Sequence, residues 1–596
     1  MSYMGTMLRV DLTRNRITEE SLDEELARKF VGGRGLGAKL VFDELDPTKD
    51  PLGEESRLVF ATGPLTGTRA PTSGRFTVTF KSSLTGLLTD SNCGGFFGPW
   101  IKRAGYDVII IEGRSESPSY LLVSDDTCEI CDAGELWGMK TRETNRLLEK
   151  RHDGKVASIG PAGERLSPIS NLIMNGIYAS GRGGIGAVMG SEKLKAIVVS
   201  GDQEVQVADE KRFDRALRYA NALIDEEPIT GAMLRSMGTA SLVQMMNMNG
   251  IYPVRNFQQS RWPEEKAELT SGERLGRLAQ GRHGCYMCPI LCGHMVNLPD
   301  GREMTSPEYE TVWSLGANID NSDLFSIVEG SALCDEYGLD AISTGAAIAA
   351  AIELEERGKI FEGLRWNDPE GMLDLISKIA HGSGIGADLA SGAKSFCERY
   401  GAPEVSMDVK GLELPGYDPR GAQGMGLAYA TSSIGGSHME AYMIAPEVLG
   451  RPKELLDRFA TRKKAEWVMD LQDLSAFVDS LVLCRFGQFA LGSDNYAELY
   501  SAAVGTEFDV ADLMETGGRI YNLERLFNTK AGSTVDTLPD RLLDEKVRSG
   551  PAMGRTVRLK KMLREYYALR GWSKEGLVED WTLRRYGLGG EVREYN

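Results

Sequence analysis

The chain has 596 residues and carries 68 Lys and Arg against 86 Asp and Glu, which gives a formal net charge of -18. This length predicts two to four domains, and the negative charge disfavours nucleic acid and anionic membranes as partners. The sequence shows neither a signal peptide nor an apolar stretch long enough to cross a bilayer, so we expect a soluble cytoplasmic protein. Nine cysteines in a chain of this size argue against a disulfide framework.

The first segment, residues 1–207, is predicted to be rich in β-strands. Short runs of Val, Ile and Leu bounded by Gly, Asp or Ser mark strands at 7–12, 57–61, 107–112, 120–123 and 195–199. Within residues 75–81, three apolar side chains alternate with polar ones, a period of two that predicts a strand with one face in the core. The glycine-rich segments 32–38 and 181–187 are predicted to be loops.

The rest of the chain is predicted to be mainly helical. From Asp209 the apolar period becomes that of a helix, and helices with loops continue to residue 405. A third segment opens with the glycine-rich stretch 415–426 and becomes helical again around Trp467. The sequence therefore predicts an α+β protein with a β-rich N-terminal domain (1–207) and two mainly α-helical domains (208–405 and 406–596).

The clearest chemical signal is a cluster of cysteines. Cys285, Cys288 and Cys292 lie within eight residues and have glycines on both sides. Soft thiolates select zinc, copper(I) or iron–sulfur clusters, and three close thiolates with a distant fourth favour an iron–sulfur cluster. Cys484 is the candidate fourth ligand. A zinc site completed by a nearby histidine stays open, although no second pair of cysteines follows.

Residues 181–186 also fit the G-x-G-x-x-G pattern of dinucleotide sites. That pattern normally follows a strand and opens a helix. We expect this loop to continue instead into the strand at 195–199, which disfavours a dinucleotide site.

Six segments in one order, spread over nearly the whole chain, resemble the tungsten-containing aldehyde:ferredoxin oxidoreductase family: 63–68, 91–98, 181–190, 285–292, 335–340 and 418–422. The resemblance implies that the β-rich domain is a base for two pterins and that the helical domains close over them. It implies a tungsten or molybdenum ion held by pterin sulfurs without a protein ligand, and one [4Fe–4S] cluster on Cys285, Cys288, Cys292 and Cys484. Mg²⁺ is a candidate bridge between the pterin phosphates.

The resemblance also implies a set of cofactor-binding residues. They are Arg75, Asn92, Gly94, Ala179, Gly181, Arg182, Asp335, Leu339, Asp340 and Asp479. The chain departs from the family pattern at Tyr178, where a basic residue is expected, and at Val482, where a glycine is expected.

The aspartates in this set can also be judged from their surroundings. Asp335 is predicted in the last turn of a helix that ends at Gly338, where a carboxylate opposes the helix dipole by roughly 0.3–1 kcal/mol. Asp479 falls in an apolar helix, where a charge without a partner is costly. Both therefore need a partner, and a pterin would supply one. Asp340 could instead cap the following helix.

Glu310 and His438 match the family's active-site carboxylate and histidine. The resemblance implies oxidation of aldehydes to carboxylic acids, with Glu310 as general base and His438 as a donor to the carbonyl oxygen. Electrons would pass through the cluster to ferredoxin or a ferredoxin-like subunit. Two alternatives stay open, a catalytic subunit of the benzoyl-coenzyme A reductase type and a non-catalytic iron–sulfur electron-transfer scaffold. An oligomer is expected, but not a subunit-bridging iron, because residues 329–332 lack the histidine of Glu-x-x-His.

Overall fold

The computed structural model describes residues 2–125, 127–451 and 454–589. Within them, the first 200 residues form two six-stranded sheets. The first sheet contains β1 (Thr6–Asp11), β2 (Arg16–Ser21), β3 (Arg57–Ala61), β4 (Phe76–Lys81), β5 (Leu88–Cys93) and β6 (Val108–Glu112). The second contains β7 (Ser119–Val123), β8 (Cys128–Asp132), β9 (Lys155–Ser158), β10 (Leu172–Met174), β11 (Tyr178–Ser180) and β12 (Leu194–Val199). All six predicted strands form, and their ends are shifted by no more than one residue.

Both sheets are mixed. The strand order is β2-β1-β6-β3-β4-β5 in the first sheet and β11-β10-β9-β12-β7-β8 in the second. One parallel pair lies inside each sheet, β1 with β6 and β7 with β12. The other neighbouring strands are antiparallel, which suits the short connections of this part of the chain.

The remaining described residues are largely helical, which confirms the α+β prediction. The N-terminal region holds α1 (Glu24–Phe30), α2 (Gly33–Glu44), α3 (Phe97–Arg103), α4 (Thr141–His152), α5 (Pro161–Glu164) and α6 (Ile185–Ser191). The middle region holds α7 (Glu210–Glu226), α8 (Leu234–Met237), α9 (Leu242–Met248), α10 (Glu264–Leu269), α11 (Gly272–Leu278), α12 (Tyr309–Ser314), α13 (Leu324–Tyr337), α14 (Ala341–Glu356), α15 (Pro369–His381), α16 (Gly386–Leu389) and α17 (Ala393–Arg399). The C-terminal region holds α18 (Gln423–Thr431), α19 (Lys464–Leu481), α20 (Ser493–Val504), α21 (Val510–Lys530), α22 (Asp540–Asp544), α23 (Leu559–Arg570) and α24 (Asp580–Arg585). Among the described residues, no helix is long and apolar enough to cross a membrane.

Strand β4 differs from its prediction, because both of its faces are buried. The polar residues Thr77 and Thr79 are 0% and 1% exposed. Their face is covered by α2, which approaches so closely that a Cβ on Gly37 would lie 2.1 Å from Thr79 Oγ1. The threonines therefore contact a helix rather than solvent.

Helix α2 itself occupies a segment that was predicted to be a loop. Its glycines permit close packing, since a Cβ on Gly33 would lie 2.4 Å from the carbonyl oxygen of Asp479. Glycine disfavours an isolated helix by about 1 kcal/mol per residue. Tertiary packing offsets that cost here, which sequence propensity alone could not show.

The loop at 181–184 was also expected to continue directly into a strand, and this is wrong. It follows β11 and opens the short helix α6, as a dinucleotide loop would. However, all seven residues of α6 are buried. A Cβ on Gly184 would lie 2.2 Å from Ser83 Oγ and 2.4 Å from the carbonyl oxygen of Pro168. This glycine therefore packs against protein and not against a phosphate.

A small sheet interrupts the middle helical region. Its antiparallel strands are β13 (Ala279–His283), β14 (Gly293–Asn297) and β15 (Glu303–Thr305). The sequence did not reveal it because β13 is largely exposed and has no apolar alternation. A pair of two-residue strands, β16 (Asp408–Val409) and β17 (Leu412–Glu413), follows later in the chain.

Candidate active site and metal centre

A cavity of about 870 Å³ lies where the N-terminal sheets meet the helices. Its wall brings together side chains that are more than 400 residues apart in sequence. The predicted residues that line it are Arg75, Gly94, Ala179, Cys285, Cys288, Cys292, Glu310, Asp335, His438 and Cys484. All four candidate cluster ligands and both candidate catalytic residues are thus placed around one space.

The turn between β13 and β14 carries three of the four cysteines. It curls tightly, because Met287 and Leu291 adopt left-handed backbone conformations with φ of 48° and 53°. Thr72 joins this turn to the fourth cysteine. Its N–H donates to the Met287 carbonyl oxygen at 3.0 Å, and its carbonyl oxygen accepts from the Cys484 N–H at 3.3 Å.

The electrostatics of the cysteines reflect burial and their mutual proximity. Burial, together with the nearby thiols of Cys484 and Cys285, raises the pKa of Cys288 to about 12. Burial also raises the pKa of Cys285, although the Arg75 guanidinium opposes that rise. Binding a metal group here would therefore displace protons and would neutralise a costly group of buried thiolates.

The spacing of the cysteines disfavours the zinc alternative. Zinc draws its four ligands to within about 2.0–2.3 Å of a single ion. Among the described residues, no group of three or more His, Cys, Asp and Glu side chains is arranged to hold a single metal ion. Four thiols around one cavity suit a larger group such as an iron–sulfur cluster.

Glu310 and His438 come together at another part of the cavity wall. Glu310 lies in the first turn of α12, and its Oε2 accepts from the Gly416 N–H at 2.8 Å. Its Oε1 lies 3.7 Å from His438 Nε2. Within the described part of the chain, Glu310 Oε1 and His438 Nδ1 are buried without a hydrogen-bond partner. Such atoms are rare in native proteins and suggest a bound ligand.

Burial shifts the protonation of these two groups in opposite directions. It raises the pKa of Glu310 to about 8, against the opposing effects of the Gly416 N–H and of Arg182. Together with the cations Arg182 and Arg485, it lowers the pKa of His438 to about 3. At neutral pH the histidine is therefore a neutral imidazole, and the carboxyl can exchange a proton.

Two tyrosines hold the His438 ring in place. The ring centroid of His438 lies 5.6 Å from that of Tyr417 and 6.1 Å from that of Tyr442. The Tyr442 hydroxyl donates to the Tyr417 hydroxyl oxygen at 3.1 Å. Neither tyrosine was predicted from the sequence, although Tyr417 adjoins Gly416 in the glycine-rich stretch 415–426.

Glu308 was also missed. It precedes Glu310 by two residues and lines the same cavity, on the side of the cysteines. Its only sequence signal is this closeness to Glu310.

Of the expected cofactor-binding residues in the cavity, Asp335 has the clearest need for a ligand. It lies in the last turn of α13, and Gly338 ends that helix with a φ of 72°. Burial raises the pKa of Asp335 to about 7. No group within the described residues donates a hydrogen bond to its carboxylate. A ligand with N–H donors would satisfy it.

Arg75 and Gly94 lie beside the cysteines. A Cβ on Gly94 would lie 2.7 Å from Cys285 Sγ and 3.2 Å from an Arg75 guanidinium nitrogen. Only glycine allows these two groups to approach the same backbone. Asn92, which does not line the cavity, accepts from Arg75 Nε and holds the guanidinium in place.

The other expected cofactor-binding residues lie outside the cavity wall. They are Asn92, Gly181, Arg182, Leu339, Asp340 and Asp479. Gly181 has open space around its Cα, since an added Cβ would have no neighbour within 4 Å. The side chain of Leu339 is buried.

The charged members of this outer set already have protein partners. Asp340 accepts from the Ile342 N–H at 2.9 Å and caps α14, as the alternative expectation held. Its other oxygen accepts from Arg182 Nε at 3.1 Å. Asp479 accepts from two nitrogens of Arg485, at 2.8 Å and 2.5 Å. The costly charge expected in that helix is therefore stabilised by an arginine of the same chain.

Comparisons with known proteins show the family of this chain. The profile of the family described as "Aldehyde ferredoxin oxidoreductase, N-terminal domain" matches residues 7–201. The profile described as "Aldehyde ferredoxin oxidoreductase, domains 2 & 3" matches residues 215–588.

Several curated relatives are similar over nearly their whole length. The chain is 46% identical over 600 residues to the tungsten-containing aldehyde ferredoxin oxidoreductase of Pyrococcus furiosus, and the match covers 98% of each chain. It is 45% identical to the enzyme of the same name from Thermococcus kodakarensis, over 96% of this chain and 97% of the other.

One solved structure has a similar fold. It is the active-site complex BamBC of benzoyl coenzyme A reductase with 1,5-dienoyl-CoA, with a TM-score of 0.87. The match covers 100% of this chain and 98% of the other at 24% sequence identity, so the likeness concerns the fold alone.

Proposed function

This chain belongs to the aldehyde ferredoxin oxidoreductase family, and we propose that it oxidises aldehydes to carboxylic acids and passes the electrons to ferredoxin. The observation that carries the proposal is the single cavity shared by Glu310, His438 and the four candidate cluster cysteines. Substrate chemistry and electron exit are thereby joined in one space.

The cavity residues fit the cofactors that this function needs. Cys285, Cys288, Cys292 and Cys484 would hold one [4Fe–4S] cluster. The carboxylate of Asp335 would accept from pterin N–H groups, and Arg75 and Gly94 would lie beside pterin and cluster. The names of the relatives favour tungsten over molybdenum. When bound, a tungsten–pterin centre would supply two-electron oxidation chemistry, and a cluster on the four cysteines would supply one-electron transfer.

Glu310 has the geometry of a general base. Oxidation of an aldehyde consumes one water and releases a carboxylic acid, two protons and two electrons. Oε2 of Glu310 is held by the Gly416 N–H, and the buried Oε1 has no hydrogen-bond partner among the described residues, so it is free to accept from a reacting water. The raised pKa, about 8, gives the carboxylate enough basicity to take the proton of that water.

His438 would act as a neutral donor. With a pKa of about 3 it carries one N–H at neutral pH, and that N–H can donate to the aldehyde oxygen as negative charge develops there. The rings of Tyr417 and Tyr442 orient the imidazole and exclude water around it.

The two alternatives from the sequence are less well supported. The benzoyl coenzyme A reductase complex shares the fold at only 24% identity, against 46% for an aldehyde oxidoreductase. A non-catalytic scaffold would not need a buried carboxylate and a buried histidine with free atoms in the same cavity.

The test is elemental and pterin analysis of anaerobically purified protein, together with an assay that couples aldehyde oxidation to reduction of a viologen dye. We expect about four irons, one tungsten and two pterins per chain, and aldehyde-dependent dye reduction. Zinc alone, in protein prepared with iron and tungstate supplied, would contradict the proposal. Reduction of an aromatic thioester without aldehyde oxidation would support the reductase alternative.

Several further expectations belong to this proposal. They are an Mg²⁺ ion between the pterin phosphates, pterin contacts from Asn92, Ala179, Gly181, Arg182, Leu339, Asp340 and Asp479, an oligomeric state and a cytoplasmic location. Asp340 and Asp479 already accept hydrogen bonds from Arg182 and Arg485, so we expect these aspartates to position the two arginines. We expect Arg182 to bind phosphate only after its hydrogen bond to Asp340 is broken.

A further inference from the structure

Glu308 is a charged side chain in the cavity to which the proposed reaction assigns no role. It precedes α12 at the N-cap position, yet its carboxylate does not cap the helix. The side chain turns into the cavity that contains Cys285, Cys288 and Cys292. It is held there by Thr239, whose hydroxyl donates to Oε2 and in turn accepts from the Tyr309 N–H at 2.8 Å.

The carboxylate is electrostatically coupled to the cysteines. Burial raises the pKa of the Cys292 thiol, and Glu308 also raises it, more strongly than any one of the other three cysteines does. Although Glu308 is exposed to the cavity, the surrounding protein raises its pKa, while the Thr239 hydroxyl and the Arg75 cation oppose that rise and favour the ionised form. Thr239 also places this carboxylate near the cysteines, because a Cβ on the preceding residue, Gly238, would lie 3.1 Å from the carbonyl oxygen of Cys292.

We propose that Glu308 is a positioning residue for electron transfer, and that its negative charge lowers the reduction potential of the group held by the four cysteines. This inference rests on the proposed function, because it requires the [4Fe–4S] cluster. Adding an electron to the cluster increases its negative charge. A carboxylate nearby makes that addition less favourable, because its negative charge repels the added electron.

A lowered potential matters for the reaction. The electrons come from the aldehyde and leave singly to ferredoxin, which is a low-potential acceptor. A cluster of higher potential would retain them. Glu308 thus favours delivery to low-potential acceptors, and its loss would shift the enzyme toward acceptors of higher potential.

The experiment compares wild type, Glu308→Gln and Asp470→Asn as cofactor-loaded enzymes purified without oxygen. Gln keeps the size of Glu308 and can still accept from Thr239. Asp470 lines the same cavity and carries the same charge, and the charged groups that act on it are Arg570 and Glu466 rather than a cysteine. The midpoint potential of the cluster is measured by redox titration followed by electron paramagnetic resonance. Aldehyde-dependent reduction of methyl viologen and of dichlorophenolindophenol is compared in the same samples.

We expect a more positive midpoint potential in Glu308→Gln, no shift in Asp470→Asn, and a fall in the ratio of viologen to indophenol reduction only in Glu308→Gln. Glu308→Asp keeps the charge but moves it away from the cysteines, because the side chain is shorter. This variant should shift the midpoint potential in the same direction by a smaller amount. An unchanged or more negative potential in Glu308→Gln, with iron content intact, would overturn the inference, as would loss of iron from both Glu308 variants. Wild type without iron would instead overturn the proposed function.

Discussion

His438 Nε2 lies 3.7 Å from Glu310 Oε1, slightly beyond hydrogen-bond distance. The two side chains are therefore neighbours that do not form a hydrogen bond with each other. The imidazole is neutral and the carboxyl titrates near neutral pH. Among the described residues, Glu310 Oε1 and His438 Nδ1 have no hydrogen-bond partner, which is the arrangement expected of a donor and a base that act on one substrate.

Glu310→Gln should abolish most of the activity. The amide keeps the shape and can still accept from the Gly416 N–H, but it cannot take up a proton. We expect aldehyde oxidation to fall by about 10²–10⁴-fold, with tungsten, pterin and iron contents unchanged. The matched control is Glu329→Gln, a partly exposed glutamate paired with Arg302, which should retain wild-type rates. Full activity in Glu310→Gln would remove Glu310 from the mechanism.

The pH dependence of kcat/KM should show a single ionisation near 8. Glu310 must be deprotonated to act as base, and burial raises its pKa to about 8, so the rate should rise with pH and level off above that value. His438 has a pKa of about 3 and stays neutral, so no second ionisation is expected between pH 5 and 8. The measurement is an initial-rate profile at low aldehyde concentration. A midpoint near 4.5 would show that Glu310 is not perturbed in the loaded enzyme.

Cys484→Ala should lose the cluster although Cys484 lies almost 200 residues from the other ligands. Three thiolates hold a four-iron cluster less firmly than four, and Cys484 lines the same cavity as the other three. Iron content and the electron paramagnetic resonance signal of reduced protein measure the effect. Cys397→Ala is the control, because Cys397 is buried elsewhere and should leave iron unchanged. Equal iron in both variants would exclude Cys484 as a ligand.

Replacing Val482 by glycine should destabilise the protein no more than replacing it by alanine, which is the reverse of the usual order in a helix. It ends α19 in a left-handed conformation with φ of 61° and ψ of 44°, and its side chain is fully buried. Left-handed backbone costs a non-glycine residue roughly 1–2 kcal/mol. Val482→Ala keeps most of that strain and loses packing, whereas Val482→Gly loses packing but relieves the strain.

We therefore expect both variants to unfold at lower temperature than wild type, with Val482→Gly at least as stable as Val482→Ala. At an ordinary helical position glycine would be the less stable by about 1 kcal/mol. Thermal unfolding followed by circular dichroism tests the order. A clear advantage of alanine would mean that the strain at residue 482 is small. The glycine expected at this position thus has a conformational reason, and the valine keeps the same backbone geometry.

Local patterns predicted much of the fold. The strand ends of the N-terminal region, the helix ending at Gly338 and the long helix around Trp467 follow from apolar periodicity and capping signals. The glycine-rich helix α2 and the sheet β13–β15 were missed, because glycine and exposed polar residues carry no periodic signal. Only packing against Thr79 and Asp479 explains why Gly33 and Gly37 are helical.

The sequence by itself determined the chemistry available to this protein, since the three close cysteines, the α+β order and the spread of family motifs are all properties of the linear chain. Tertiary structure alone decided which of those groups act together. It brought Cys484 to the other cysteines and His438 to Glu310, gave Asp479 an arginine partner and, within the described residues, left the Asp335 carboxylate without a hydrogen-bond donor. The physical reason is that burial sets pKa values, partners and ligand access, and burial depends on segments far apart in sequence.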